Sequence, residues 1–252
     1  MTFSDDEIER YARHLVLAEV GGPGQQRLKA ARVGLIGLGG VGAPAALYLA
    51  AAGVGALRLI DDDTVARSNL QRQIAFATAD IGRPKVKAGA RALTALNPHV
   101  RMEPVAERLT PDNAARLIEG CDIVIDGSDD FTTRFAVNAA CVAAAIPLVS
   151  GALGRWTGQV GVFSGRPCYR CLVPESPPDA ETCARVGVVG ALAGVVGSMA
   201  ALEAIKLIVG AGQPLTGRLM LYDGLAGTAR AVAVAVDPAC PVCSMRPGPD
   251  SG

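Results

Sequence analysis

The 252-residue sequence predicts an α/β fold: a mostly parallel sheet with helices on both faces, followed by an antiparallel β region tied by paired cysteines. Three observations carry this. Short aliphatic runs alternate with helical stretches from Arg32 to Ser150, a βαβαβαβαβ order that argues a parallel sheet. The first run ends in Gly37-x-Gly39-x-x-Gly42 before the alanine-rich stretch Ala43 to Ala50, the turn of a Rossmann-like nucleotide-binding unit. After Gly151 glycine-punctuated alternation takes over, and the C-x-x-C pairs Cys168/Cys171 and Cys240/Cys243 bracket the remainder.

In chain order, Ser4-Asp5-Asp6-Glu7 has the spacing of a capping box and opens a helix expected to carry Tyr11, Arg13 and His14. Gly21-Gly22-Pro23-Gly24 is expected to break the chain before Gln25 to Ala30 leads into the first strand. At the glycine turn, Gly37 permits the tight bend and Gly39 removes a side chain that would hold phosphate away. A helix starting near Gly40 then offers unpaired N–H groups and a positive dipole end. Alone, the motif is weak. Leu57 to Ile60 reads as a second strand ending in Asp61-Asp62-Asp63. An acid about 20 positions past the glycines is where such folds hold ribose hydroxyls. Asp61 is that candidate, the alternative being a tight turn of solvated aspartates. Ile81 to Lys85 opens another helix with Pro84 in its first turn, so Lys85 lies at a helix N-terminus, unfavourable for a cation unless an anion binds there.

Val100 to Val105 is a third strand, Asp112 to Glu119 a helix, and Cys121 to Asp126 a fourth strand running into Gly127-Ser128-Asp129-Asp130. A helix over Phe131 to Ala145 and a fifth strand over Pro147 to Ser150 complete the parallel part. The glycine turn, Asp61 and Asp129 then share the carboxyl edge of the sheet, where ligands bind in such folds. Leu153 to Phe163 reads as a hairpin. Val186 to Leu202 is an uncharged run long enough to raise the question of a membrane span. Because Glu203 and Lys206 continue the same helix, a buried helix at a subunit or domain contact is the preferred reading. Arg218 to Asp223 and Ala229 to Val236 read as closing strands.

Half of the residues are hydrophobic, 19% are charged, and 24 Lys plus Arg balance 24 Asp plus Glu, so no basic patch points to nucleic acid or an anionic membrane. The acidic start lacks a secretory signal, which favours the cytoplasm. Of seven cysteines, four form the two proline-flanked knuckles, the ligand set of a tetrahedral structural Zn²⁺. Disulfides are the alternative, disfavoured by that compartment. His14 and His99, the only histidines, read as surface or packing residues, and no G-x-S-x-G elbow is present. Cys121 and Cys141 read as core thiols. Cys183, in a proline-rich polar segment, is either a reactive thiol or an exposed loop thiol.

Arg10-Tyr11-Ala12-Arg13, the Gly37 to Gly42 turn, Asp61 with Asp63-Thr64-Val65, Ser68-Asn69-Leu70-Gln71-Arg72-Gln73, Gly82-Arg83-Pro84-Lys85, Asp126-Gly127-Ser128-Asp129, Pro147 to Gly151 and Pro167-Cys168-Tyr169-Arg170-Cys171 occur in this order. Over nearly its whole length the chain thereby resembles the ubiquitin-activating-like adenylyltransferases of sulfur-carrier activation, the HesA/MoeB/ThiF family, nearest to its molybdopterin-synthase branch. The resemblance implies ATP, catalytic Mg²⁺, structural Zn²⁺, a homodimer and a small ubiquitin-like carrier protein ending in Gly-Gly. It implies a nucleotide site of Gly37, Gly39, Gly40, Gly42, Asp61, Asp63, Ser68, Asn69, Arg72, Lys85, Asp129 and Asp130. Within it Gly40 lies by the phosphates, Asp61 binds the ribose, Asn69, Arg72 and Lys85 contact the triphosphate, and Asp129 is the Mg²⁺-linked aspartate. Arg13 reaches the partner subunit's site. Cys183 is a candidate for a later acyl- or sulfur-carrying step.

The same resemblance divides one adenylyltransferase domain, 1–252, into a helical arm (1–30), a nucleotide-binding core (31–150), a carrier-binding and zinc region (151–245) and a tail (246–252). Asp130 stands where asparagine is usual and His14 where glutamine is usual. No rhodanese domain follows the knuckles, so a separate sulfur donor is expected. The chemistry agrees on physical grounds. Adenylation brings a carboxylate to the α-phosphorus of a polyanion, and like charges about 4 Å apart repel by roughly 4 kcal/mol at an effective dielectric near 20. Arg13, Arg72, Lys85 and Mg²⁺ would offset that, and no general base is needed because the carboxylate is already ionised. The competing readings are a nucleotide- or NAD-binding Rossmann protein without adenylation, and a zinc-stabilised scaffold for ubiquitin-like tails.

Overall fold

The computed structural model describes residues 2–176 and 187–244. Among them eight strands form one sheet, in the order β3-β2-β1-β4-β5-β6-β7-β8. β1 (Arg32–Ile36), β2 (Ala56–Ile60), β3 (Arg101–Val105), β4 (Ile123–Asp126) and β5 (Leu148–Gly154) pair in parallel. β5, β6 (Thr157–Phe163), β7 (Arg218–Asp223) and β8 (Thr228–Ala233) pair antiparallel. β5 belongs to both halves: Leu148 to Ser150 pair with β4 while the whole strand pairs with β6. The expected fifth strand and the first arm of the expected hairpin are therefore one strand.

The aliphatic runs of β1 and β4 are buried along nearly their whole length, because helices cover both faces. On one face α3 (Gly21–Ala30), α4 (Gly42–Ala51), α5 (Lys85–Leu96) and α9 (Gly190–Val209) bring Leu28, Leu49, Leu93 and Val196 onto Leu35, Leu57, Leu59 and Ile125. On the other, α6 (Ala114–Ile118) and α7 (Phe131–Ala144) bring Ile118 and Val137 onto Ile36, Ile60, Val124 and Leu148, and the short α8 (Tyr169–Leu172) adds Tyr169 to the same cluster. The strand order reverses between β1 and β4, so their carboxyl-end loops diverge and open a crevice.

Two expectations near the N-terminus are corrected. The capping box forms, with the Ser4 hydroxyl accepting from the Glu7 N–H and the Glu7 carboxylate accepting from the Ser4 N–H. Its helix, α1 (Asp5–Arg10), nevertheless stops at Tyr11, and Arg13 and His14 fall on a separate short helix, α2 (Ala12–Leu15). The break comes from Tyr11, whose ring is buried against Gly53 and whose hydroxyl accepts from Asn97 Nδ2 at 2.9 Å. The glycines at 21–24 form the first turn of α3 instead of interrupting the chain, since Pro23 lies where no intrahelical N–H is required.

α9 is long and apolar enough to cross a membrane by length and composition. It lies instead across α4, β5 and β6, with Leu192, Ala193, Val196, Gly197 and Ala200 buried. Small residues make this possible: a Cβ on Gly197 would lie 2.4 Å from the Pro44 ring, and one on Gly190 2.0 Å from the Gln71 carbonyl. Its buried Glu203 accepts from the Leu215 N–H at 2.7 Å and pairs with Lys206.

At the entry to α4 a Cβ on Gly42 would lie 1.8 Å from the Gly37 carbonyl oxygen, a clash of backbone with backbone. Gly42→Ala is expected to cost at least the roughly 1–3 kcal/mol of ordinary overpacking and to lower the thermal midpoint by several degrees. Gly154→Ala, with nothing within 4 Å, should leave the midpoint unchanged in the same melt.

Candidate active site

The crevice at the strand reversal is a cleft of about 370 Å³ at the carboxyl edge of the parallel strands. Gly37, Gly39, Gly40, Asp61, Asp63, Arg72, Lys85, Asp129 and Asp130 all line it, although they come from five separate stretches of chain. Gly42, Ser68 and Asn69 do not. Gly42 is packed behind the turn, and Ser68 and Asn69 sit in a 3₁₀ turn (Arg67–Asn69) where the Asn69 side chain accepts from the Ala66 N–H. Arg13 is exposed on α2, away from the cleft. Cys183 lies outside the described residues.

The glycine turn is held from two sides. Gly37, at φ +81°, donates its N–H to the Ile60 carbonyl at 2.8 Å. Asp61 accepts from the Leu38 N–H at 2.7 Å with Oδ2 and from the Asp63 N–H at 2.8 Å with Oδ1. Asp61 therefore ties the end of β2 to the turn after β1, with both oxygens engaged by backbone. Burial pushes its carboxyl above the ordinary value, against the opposing pull of Lys85 and those N–H donors. No side chain caps α4 at Val41, but the Ala43 N–H donates to the Gly39 carbonyl at 3.0 Å and Pro44 has no N–H, so the donors this helix start offers a ligand are the N–H groups of Gly40, Val41 and Gly42.

Lys85 begins α5, is 5% exposed, and places Nζ 2.7 Å from Asp63 Oδ2 and 3.9 Å from Asp61 Oδ2. The two carboxylates offset the cost of a cation at a helix N-terminus. Arg72 donates to the Ser68 carbonyl at 3.0 Å and lays its stem beside Gly40. Across the cleft Asp130 caps α7 by accepting from the Thr133 N–H at 2.8 Å, a role asparagine fills equally well. Asp129 is exposed, and no hydrogen bond or ion pair engages its carboxylate among the described residues.

The residues missed by sequence reasoning are Arg134, Asp126 and Gln73. Arg134 reaches from α7 under the Gly127 to Asp130 loop, donating to Ser150 Oγ at 3.1 Å, to the Gly151 carbonyl at 3.0 Å and to the Ser128 carbonyl. Asp126 Oδ2 lies 3.6 Å from it, while Asp126 Oδ1 accepts from the Ser128 N–H at 3.0 Å and its hydroxyl at 2.6 Å. Burial works against the guanidinium charge, but Asp126, with Tyr169 and Asp129, holds its pKa above the ordinary value. An arginine flanked by Thr133 and Phe135 to Val137, on a helix side that must be buried, was the available signal. Gln73, 4% exposed, lines the cleft with Oε1 unpartnered among the described residues.

Beyond the far end of α7 the thiols of Cys168, Cys171, Cys240 and Cys243 converge, all within 4.8 Å of one another. The Cys168–Cys240 and Cys171–Cys243 separations are 3.7 and 3.5 Å. A tetrahedral ion with Zn–S bonds of about 2.3 Å would hold its ligands about 3.8 Å apart, so the set could hold zinc. Burial pushes the Cys168 and Cys243 thiols up, and a cation is what would compensate their deprotonation. Cys121 and Cys141 are buried, as expected, with burial raising both thiols. His14 pairs with Gln25 and His99 with Asp6, both away from the cleft.

The ThiF family pattern matches residues 11–242. The sulfur carrier protein adenylyltransferase of Thermus thermophilus is 45% identical over 256 residues, covering 98% of this chain and 94% of the relative. The molybdopterin-synthase adenylyltransferase of Escherichia coli is 45% identical over 245 residues, covering 96% and 98%. Among solved structures, E. coli MccB aligns with a TM-score of 0.84 over 97% of this chain and 74% of that chain, at 23% identity, a likeness of fold alone.

The double acceptor at Asp61 has a measurable consequence. Asp61→Asn replaces one acceptor by an NH₂ group and strands one buried N–H, at a cost of about 1–3 kcal/mol. The ligand-free protein should therefore unfold at a lower denaturant midpoint. An unchanged midpoint with weakened nucleotide binding would assign Asp61 to the ligand alone.

Proposed function

The chain belongs to the ThiF family, and from that premise we propose that it is an adenylyltransferase: with ATP it adenylates the C-terminal glycine of a ubiquitin-like sulfur-carrier protein, releasing pyrophosphate. This is the activation step for thiocarboxylate formation in cofactor biosynthesis. One observation carries the reading. In a chain 45% identical to enzymes named for this reaction, one cleft gathers the glycine turn, the cations Arg72 and Lys85 and the unengaged Asp129.

The division of labour follows from position. The N–H groups of Gly40, Val41 and Gly42, leading into α4, and the bare edge of Gly39 and Gly40 receive the phosphates, while Arg72 and Lys85 offset the charge of the polyanion and of the departing pyrophosphate. A trough over β5 to β8 shares Ala152, Leu153 and Gln159 with the cleft, and it is the route by which the carrier's Gly-Gly tail arrives. Trp156 and Leu225, exposed at the neighbouring hairpin tips, support docking of the carrier body there. The attacking carboxylate is already ionised, so catalysis is positioning and charge neutralisation. Asp129 fits Mg²⁺, which takes one or two carboxylates, substrate phosphates and water; the ion would supply further neutralisation of the triphosphate.

Arg13, outside the cleft of its own chain, acts in a second copy's site within a homodimer. Tyr48 of α4 and Leu202 of α9, both exposed, support an apolar face for that contact. No cysteine lines the cleft among the described residues, which supports delivery of sulfur by a separate donor. The four unbonded thiols hold a structural zinc and fit the reducing cytoplasm.

Two measurements follow. Dialysed protein should contain one zinc per chain by elemental analysis, and Cys243→Ala should lose both the metal and much of the stability; folded protein with zinc well below stoichiometric would refute the site. With Mg²⁺, ATP and a Gly-Gly-ending carrier, labelled pyrophosphate should exchange into ATP, and Asp129→Ala should abolish exchange. Wild-type protein that exchanges with none of the candidate carriers would refute the adenylyltransferase reading.

A further inference from the structure

Ser128 is gripped at every polar atom it has: Asp126 Oδ1 accepts from its N–H and its hydroxyl, and Arg134 donates to its carbonyl. The gripping groups are themselves fixed. Arg134 is 6% exposed, is bound to Ser150 Oγ and the Gly151 carbonyl on β5, and lies over the Tyr169 ring with its guanidinium carbon 5.9 Å from the centroid. Asp126 is 1% exposed at the end of β4. The next residue, Asp129, has no such partner and projects to the cleft. A buried ion pair of this kind contributes little net stability, since desolvation consumes most of its Coulomb energy, so its placement directly under one loop calls for another explanation.

We propose that Arg134 is a positioning residue for Asp129: by clamping the Ser128 carbonyl to β5 it fixes where the Asp129 carboxylate meets the metal–nucleotide complex. The role depends on the planar fork, which reaches the Ser128 and Gly151 carbonyls through one nitrogen while the other meets Ser150. Lysine keeps the charge beside Asp126 but cannot span these acceptors. The inference rests on the reading of Asp129 as the Mg²⁺-linked residue, and the experiment separates the two.

ATP binding is measured by titration calorimetry with and without Mg²⁺, with no carrier present. In the unmodified protein Mg²⁺ should tighten ATP by at least about fivefold, the lower end of ordinary coupling between two bound ligands. Asp129→Ala should remove that increment. Arg134→Lys should remove most of it while changing metal-free ATP affinity by no more than about twofold, and the double variant should lose no more than Asp129→Ala alone. A full Mg²⁺ increment in Arg134→Lys, or a loss that adds to that of Asp129→Ala, would overturn the assignment. Absence of any increment in the unmodified protein, or its survival in Asp129→Ala, would overturn the Asp129 reading itself. Should Arg134→Lys not fold, Ser150→Ala, which removes one acceptor of the guanidinium, must show a partial loss, and an unchanged increment there would equally overturn the assignment.

Discussion

The structure depends on a contact among three glycines. Gly42 abuts the Gly37 carbonyl, a Cβ on Gly127 would lie 3.0 Å from the Gly42 nitrogen, and one on Gly37 would lie 3.4 Å from the Gly127 carbonyl. Three backbone segments, the turn after β1, the start of α4 and the loop after β4, therefore meet where the strand order reverses. No side chain fits between them. Their closeness is what brings an uncapped helix N-terminus, the Asp129 loop and the Lys85 end of α5 around one cleft, and any larger residue there would spread the edge that lines it.

Around this contact the protein arranges charge in two tiers. The lower tier is buried: Asp126 and Arg134 beneath the loop, and Asp61 beneath the turn, each bound largely to backbone or to a neighbour's hydroxyl. These groups shape the chain and have little freedom left for a substrate. The upper tier, Arg72, Lys85 and Asp129, faces the cleft; Lys85 is itself buried, and Asp61 from the lower tier also borders the cleft. Lys85 already holds two carboxylates, so in the proposed reaction a triphosphate reaching it would exchange one set of anionic partners for another instead of meeting a bare cation, which would moderate the desolvation cost of binding. α7 joins this site to the thiol cluster: Arg134 lies toward one end, and Asn138, one turn on, donates to Cys168 Sγ at 3.6 Å and accepts from the Tyr169 N–H at 2.9 Å.

Much of this was legible from local signals. The glycine spacing, the acid at the end of the second strand, the proline before Lys85 and the cysteine pairs each carry a mechanism within a few residues, and each lies where the pattern predicts. What could not be read depends on tertiary partners. Nothing local shows that Tyr11 turns inward onto Gly53 and splits a helix, or that the glycines before Gln25 are helical. Nor does it show that Ser68 and Asn69, adjoining Arg72 in one polar stretch, stay outside the cleft that Arg72 enters. The position of Asp61 points to a ribose ligand, whereas its hydrogen bonds also make it a tie between the end of β2 and the turn after β1. The contacts of Arg134 carry no local signature because its acceptors are carbonyls and a serine hydroxyl brought to it by the fold, partners that leave no mark in sequence spacing.

Adenylyl transfer leaves its mark on the carrier, as AMP joined to the C-terminal carboxylate. The intact mass of a Gly-Gly-ending carrier, co-purified from the native cell and incubated with the protein, ATP and Mg²⁺, tests it most directly. The carrier should gain the mass of one adenylyl group, and a carrier lacking its final glycine should not. A carrier that stays unmodified while the protein binds NAD tightly would contradict it.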